Sequence, residues 1–112
     1  ISQAIISSLK SNIVDIVGQL ELEEIPGILT RCQVFVGNDS GLTHLSNLLG
    51  LPVVALFGPT DPDTCGPVLP PVAILKKPVP CSPCSYKTCP YDHRCLNNIQ
   101  PDEVYQAIKS YL

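Results

Sequence analysis

The sequence predicts an α/β fold, a parallel sheet with flanking helices. Three observations carry that reading. Short apolar runs alternate with stretches of helical period, a pattern that implies parallel strands joined by right-handed crossovers. Val53-Val54-Ala55-Leu56-Phe57 is apolar on both faces, as a central parallel strand is. Val34-Phe35-Val36 runs into the polar stretch Gly37-Asn38-Asp39-Ser40-Gly41, after which Leu42, Leu45, Leu48 and Leu49 repeat at helical spacing.

The elements follow in order. Ile1, Ile5 and Leu9 share one helical face, so residues 1–10 read as the end of a helix. Ile13-Val14-Asp15-Ile16-Val17 reads as a short strand closed by Gly18. Glu21 to Glu24 resembles the acidic first turn of a helix that carries Leu22, Ile25 and Leu29, with Pro26 tolerable only near its start. Gln33 to Val36 is the next strand and Leu42 to Leu49 the next helix. Gly50 suits the left-handed position just beyond that helix. Pro52 precedes the strand Val53 to Phe57, which Gly58-Pro59-Thr60-Asp61-Pro62 ends abruptly. Thr64 to Pro71 reads as loop and Val72 to Leu75 as a further strand. A cysteine segment at 81–95 shows no helical or strand period. Pro101-Asp102-Glu103 then opens a last helix, with proline at its first position and acids at the positive end of its dipole. Val104, Ala107, Ile108, Tyr111 and Leu112 form its apolar stripe.

Composition narrows the function. The 112 residues make one domain, which buries roughly two thirds of its extended surface. Apolar residues are 45% and charged residues 15%, which argues against disorder. The net charge of −3 and the lack of a basic cluster exclude a nucleic-acid groove. No apolar stretch approaches the roughly 18 residues of a membrane span, and Ile1 to Leu9 is too short and polar for a signal peptide. The chain does not begin with Met and reads as a piece of a larger one. Such a half-sheet would expose an edge and an apolar face, so self-association of the isolated piece is expected.

Chemistry concentrates where strands meet helices. In open α/β sheets ligands bind beyond the carboxyl ends of the strands, and both Gly37–His44 and Gly58–Asp61 lie at such ends. Backbone amides of Gly41, Leu42 and Thr43 would hold a diphosphate, helped by the helix dipole. Ser40 and Thr43 would add hydroxyl donors. His44, one turn inside, would face a phosphate or a sugar hydroxyl. Asp39 would repel a phosphate at close range, so it is assigned to sugar hydroxyls or to fixing the turn. A simple helix cap explains Asn-Asp-Ser-Gly equally well, and His44 alone also fits a structural role. The stretch matches neither the P-loop nor the dinucleotide Gly-x-Gly-x-x-Gly pattern, and Ser40 lacks the flanks of an α/β-hydrolase nucleophile.

Six cysteines are many for this length. Cys32 reads as a small buried side chain, and Cys65 stands alone in a Pro/Gly-rich loop. Cys81, Cys84, Cys89 and Cys95 follow the spacing Cys-x2-Cys-x4-Cys-x5-Cys, with His93 inside. Three readings stand: disulfides, of which four cysteines allow three pairings; a structural zinc; and reduced packing thiols. An α/β fold needs no staples, so a reducing compartment and thiols fit better. The compact ferredoxin spacing of an iron–sulfur site is absent.

Asn38-Asp39-Ser40-Gly41-Leu42-Thr43-His44-Leu45, together with Gly50-Leu51-Pro52 and Val53 through Pro62, resembles the ADP-heptose:lipopolysaccharide heptosyltransferases, glycosyltransferase family 9. The resemblance runs through the cysteine segment to Asn97-Asn98-Ile99-Gln100-Pro101. Cys-Ser-Pro-Cys, Cys-Pro-Tyr-Asp-His and Cys95 resemble the heptosyltransferase II subtype. The resemblance implies two Rossmann-like domains facing across a cleft, the GT-B arrangement. Residues 1–112 would be the later part of the C-terminal, nucleotide-sugar-binding half. It implies inverting transfer of heptose from ADP-L-glycero-D-manno-heptose to the lipopolysaccharide inner core, with no cofactor and no metal. The implied location is the cytoplasm, at the cytoplasmic face of the inner membrane. The family's donor site falls on Asp39, Ser40, Gly41, Leu42, Thr43 and His44. The loop Gly58, Pro59, Thr60 and Asp61 would shape the same pocket. The proposed general base and the acceptor site belong to the other domain, so no catalytic residue is assigned here and the isolated chain is expected to be inactive. A non-catalytic nucleotide- or phosphosugar-binding domain and a cysteine-rich, metal-clipped interaction module are the alternatives.

Overall fold

A computed structural model describes residues 2–9 and 12–112. Its centre is a three-stranded parallel sheet in the order β1 (Phe35–Asn38), β2 (Val53–Phe57), β3 (Val72–Lys76). Among the described residues six α-helices accompany it, α1 (Ser2–Ser8), α2 (Ile25–Leu29), α3 (Gly41–Leu48), α4 (Pro62–Cys65), α5 (Arg94–Asn97) and α6 (Pro101–Lys109), with a 3-10 turn at Leu22–Glu24 leading into α2.

The all-apolar run becomes the middle strand, as its composition requires. Val53, Val54, Ala55 and Phe57 are fully buried, and Phe35, Cys65 and Val72 pack against them. The register pairs Phe35 with Val53 and Val53 with Val72, so the three strands start level. β2 and β3 also end level, at Phe57 and Lys76, while β1 ends one residue earlier, with Asn38 opposite Leu56, so the loops that follow β1 and β2 leave the same edge of the sheet.

Several expectations are corrected. Ile13–Val17 is not a strand. Asp15 Oδ1 accepts the Val17 N–H at 3.0 Å, and Gln19 N–H turns back to Ile16 O. That local Asx turn takes the amide a strand would need. Of the first helical face, Ile1 lies outside the described residues, while Ile5 and Leu9 are exposed. The first strand comprises Phe35–Asn38 rather than Gln33–Val36, so Gly37 and Asn38 belong to the sheet. Cys32 is exposed: it falls in the turn before β1, with its sulfur 3.5 Å from Ile28 O. The loop after Asp61 contains the single turn α4, and the cysteine segment contains the single turn α5. Leu112 lies beyond α6 and is exposed.

The apolar stripe of α3 is inverted. Leu42, Leu48 and Leu49 are exposed, whereas Thr43, Ser46 and Asn47 are buried. Each buried polar atom has a backbone partner, which removes the cost of hiding it. Thr43 Oγ1 donates to Asn38 O. Ser46 Oγ donates to Leu42 O at 2.8 Å. Asn47 receives the Leu69 N–H at 3.0 Å and donates to Leu69 O. The helix ends as expected at Gly50, whose φ of +82° permits the Schellman bonds Gly50 N–H to Asn47 O and Leu51 N–H to Ser46 O.

Candidate functional site at the carboxyl ends of β1 and β2

Two loops meet at the carboxyl edge of the sheet. Asp39 and Ser40 join β1 to α3, and Gly58 to Asp61 join β2 to α4. Asn38, Asp39, Leu56, Gly58, Pro59, Thr60 and Leu96 line a cleft of about 160 Å³ between them. The structure therefore brings Asp39 to the second loop.

The first loop is shaped by a missing side chain. A Cβ on Gly37 would stand 2.7 Å from the Phe35 ring and 3.2 Å from Thr43 Oγ1. Glycine leaves Thr43 free to reach back to the Asn38 carbonyl. Ser40 Oγ lies 3.3 Å from Thr43 Oγ1, and the Thr43 proton is already directed at Asn38 O, so Ser40 donates to Thr43. Both hydroxyl protons are thus held inside the turn, and Thr43 itself is fully buried. The Thr43 and His44 amides turn back to Ser40 O at 3.1 and 3.4 Å. Among the described residues, no acceptor meets the Gly41 or Leu42 amide. These two N–H groups form the open end of the helix.

The second loop carries its own constraints. A Cβ on Gly58 would stand 2.5 Å from Leu96 Cγ and 3.2 Å from Cys95 Sγ, so glycine is what lets α5 close on the loop. Thr60 Oγ1 is buried and has no hydrogen-bond partner among the described residues. A buried hydroxyl in that state costs free energy until something meets it. Asp61 Oδ1 caps α4 by accepting the Asp63 N–H at 3.2 Å, and Lys76 Nζ stands 3.6 Å from the same oxygen.

Side chains bridge the two loops. Cys65 Sγ stands 3.0 Å from Asp61 O and 3.7 Å from Asp39 Oδ2. His44 Nε2 stands 3.8 Å from Asp39 Oδ1, with both side chains partly exposed. Neither Cys65 nor Lys76 stood out in the sequence. The one available signal was position: Cys65 lies four residues after Asp61, and Lys76 ends a strand at the edge where the ligand loops lie.

The cysteine loop braces this region. Ser82 Oγ donates to Gly58 O at 2.7 Å, and Cys84 N–H donates to Pro59 O at 2.7 Å. Cys81, Cys84, Cys89 and Cys95 are free thiols that line one cavity of about 200 Å³. Among the described residues no three His, Cys, Asp or Glu side chains are grouped to hold a metal ion. Arg94 bonds Asp92 at 2.9 Å, which holds that carboxyl below its ordinary range and raises the guanidinium.

Comparisons with known proteins bear on this site. The family model described as glycosyltransferase family 9 (heptosyltransferase) matches residues 1–94. Lipooligosaccharide heptosyltransferase 2 of Campylobacter jejuni serotype O:6 is 36% identical over 80 residues, 70% of this chain and 25% of that protein. Lipopolysaccharide heptosyltransferase 1 of Pseudomonas aeruginosa is 37% identical over 73 residues, 65% of this chain and 21% of that protein. The chain spans about a quarter of the length of the curated relatives it matches. Among solved structures, E. coli ADP-heptose lps heptosyltransferase II superposes with a TM-score of 0.80 at 24% identity, over 97% of this chain and 31% of that one. That likeness establishes the fold, a small parallel sheet with flanking helices matching part of that enzyme.

Proposed function

The chain belongs to glycosyltransferase family 9, the heptosyltransferases, and from that premise we propose that it forms the donor-binding part of an inverting enzyme. The donor in this reading is ADP-L-glycero-D-manno-heptose, and the acceptor is the lipopolysaccharide inner core, held by the other domain. Residues 1–112 lie in the C-terminal half of a GT-B arrangement. The whole protein works at the cytoplasmic face of the inner membrane. No helix among the described residues is long and apolar enough to cross a membrane.

The observation that carries the reading is the pair of unmet amides, Gly41 and Leu42, at the start of α3, together with an orphaned hydroxyl, Thr60, on the loop that follows the neighbouring strand. Transfer requires a sugar carbon to leave its diphosphate, and negative charge grows on the departing oxygen. Fixed N–H groups at a helix N-terminus stabilise that charge without having to reorganise. The Thr60 hydroxyl adds a donor from the loop after β2. Asp39 accepts hydrogen bonds from sugar hydroxyls and so orients the ring. His44, within reach of Asp39, steadies that carboxylate or meets a sugar hydroxyl. Deprotonating the acceptor needs a base placed on the far side of the sugar, and that group comes from the other domain.

Amide hydrogen exchange on the full-length protein tests this reading. ADP-heptose should slow exchange at Gly41 and Leu42. Unchanged exchange there with saturating donor would refute the site. Heptose transfer by residues 1–112 alone would refute the assignment of the base elsewhere.

A further inference from the structure

The four clustered cysteines are not equivalent. Cys89 and Cys95 line only the cavity of about 200 Å³, whereas Cys81 and Cys84 also line a neighbouring cavity of about 440 Å³. These two therefore form part of the wall between the cavities, accessible from either side. They are the ends of Cys81-Ser82-Pro83-Cys84, the Cys-x-x-Cys spacing of dithiol redox sites in α/β proteins. The Tyr86 N–H donates to Cys84 Sγ at 3.4 Å. Arg94 lines both cavities together with Cys81 and Cys84. The segment is also wired to the ligand loop. Ser82, one of the two residues between them, donates its hydroxyl to Gly58 O, and Cys84 N–H donates to Pro59 O.

We propose that Cys81 and Cys84 are a thiol–disulfide modification site whose oxidation state is transmitted to the Gly58–Asp61 loop. The co-reactant is a small-molecule disulfide such as oxidised glutathione. One cysteine thiolate attacks a sulfur of that disulfide, forming a mixed disulfide and expelling one small thiolate. The second cysteine, as thiolate, attacks the mixed disulfide and expels the other. The two protein thiols are oxidised to one S–S bond. The small disulfide is reduced to two thiols, which take up the two protons the cysteines lost. Drawing the two sulfurs together moves Ser82 and Cys84, the residues that brace Gly58 O and Pro59 O.

The full-length protein, equilibrated across glutathione buffers from reducing to oxidising, provides the test. Trypsin separates the pair, in residues 77–87, from Cys89 in 88–94 and Cys95 in 95–109. Mass spectrometry should show loss of two hydrogens within 77–87, with Cys89 and Cys95 still alkylated. The same oxidised sample should exchange the amides of Gly58, Thr60 and Asp61 severalfold faster than the reduced one. That readout needs no donor, so it is independent of the function proposed above. Cys81→Ser should abolish both changes. Four free thiols at every buffer ratio, a bond to Cys89 or Cys95, or unchanged exchange at 58–61 would overturn the proposal. So would stoichiometric zinc in the reduced protein, which would make the cluster a metal clip.

Discussion

Cys65 Sγ stands 3.7 Å from Asp39 Oδ2 and 3.0 Å from Asp61 O, so one thiol touches both ligand loops. Cys65 and Asp39 are 26 residues apart along the chain. Cys65 also packs on the core beneath the sheet edge. Replacing it by alanine frees Asp39 on that side and should weaken ADP-heptose binding severalfold. The accompanying loss of stability should be about 1 kcal/mol, the usual worth of one such bond. Calorimetric titration and denaturant melts of the full-length variant check the two effects, and unchanged affinity would make Cys65 a packing residue only.

Thr60→Val separates binding from stability. The Thr60 hydroxyl is buried with no partner among the described residues, so a methyl of similar shape removes an uncompensated polar group. Stability without ligand should hold or rise by up to about 1 kcal/mol. Donor affinity should fall, because the ligand loses the donor it would have met. A variant that binds ADP-heptose normally would show that the hydroxyl plays no part in the site.

Gly58→Ala should destabilise the contact between the second loop and α5 by about 1–3 kcal/mol, the range for overpacking. The added Cβ would fall 2.5 Å from Leu96 Cγ. Leu96→Ala in the same chain should restore part of the loss, and a double-mutant cycle from thermal melts measures the coupling. Simple additivity of the two substitutions would contradict the clash.

Lys77 pairs with Glu103 and links the end of β3 to the first turn of α6. That bond, followed by the Gln100 N–H that Glu103 accepts, holds the Glu103 carboxyl below its ordinary 4.5. A depressed folded value means the stabilisation is complete above the unfolded value and is lost as pH falls through the folded one. The stability difference between wild type and Lys77→Gln should therefore be largest near neutral pH. It should shrink steadily once the pH drops below 4.5. Denaturant midpoints between pH 7 and about 3 check this, and a difference that grows on acidification would reverse the sign. Both side chains are partly exposed, so added salt should reduce it.

The legible parts of this fold are those whose cause is local. Five apolar residues after Pro52 sufficed for β2, and Leu-Gly-Leu-Pro for the end of α3. Pro101-Asp102-Glu103 sufficed for the start of α6. Hydrophobic period misread α3, because Thr43, Ser46 and Asn47 each satisfy their polar atoms on backbone that period counting does not see. It misread Ile13–Val17 for the same kind of reason, since one carboxylate takes the amide at Val17. At the candidate site, the loops were legible from glycine and position at strand ends. The inward turn of the Ser40 and Thr43 hydroxyls was not. Nor was the approach of Cys65 to Asp39, which depends on two neighbouring strands delivering their loops to the same edge of the sheet.

Asn47 makes scaffold out of what would otherwise be coil. By gripping both backbone groups of Leu69, it fastens the crossing segment before β3 to the body of the helix that follows β1. Insertions between Gly66 and Pro71 would thus be felt at the mouth of the site, far from where they were made. A surface loop that tolerates changes of length elsewhere is here tied to the helix of the proposed donor site, and if that proposal holds, shortening or extending it should alter donor affinity.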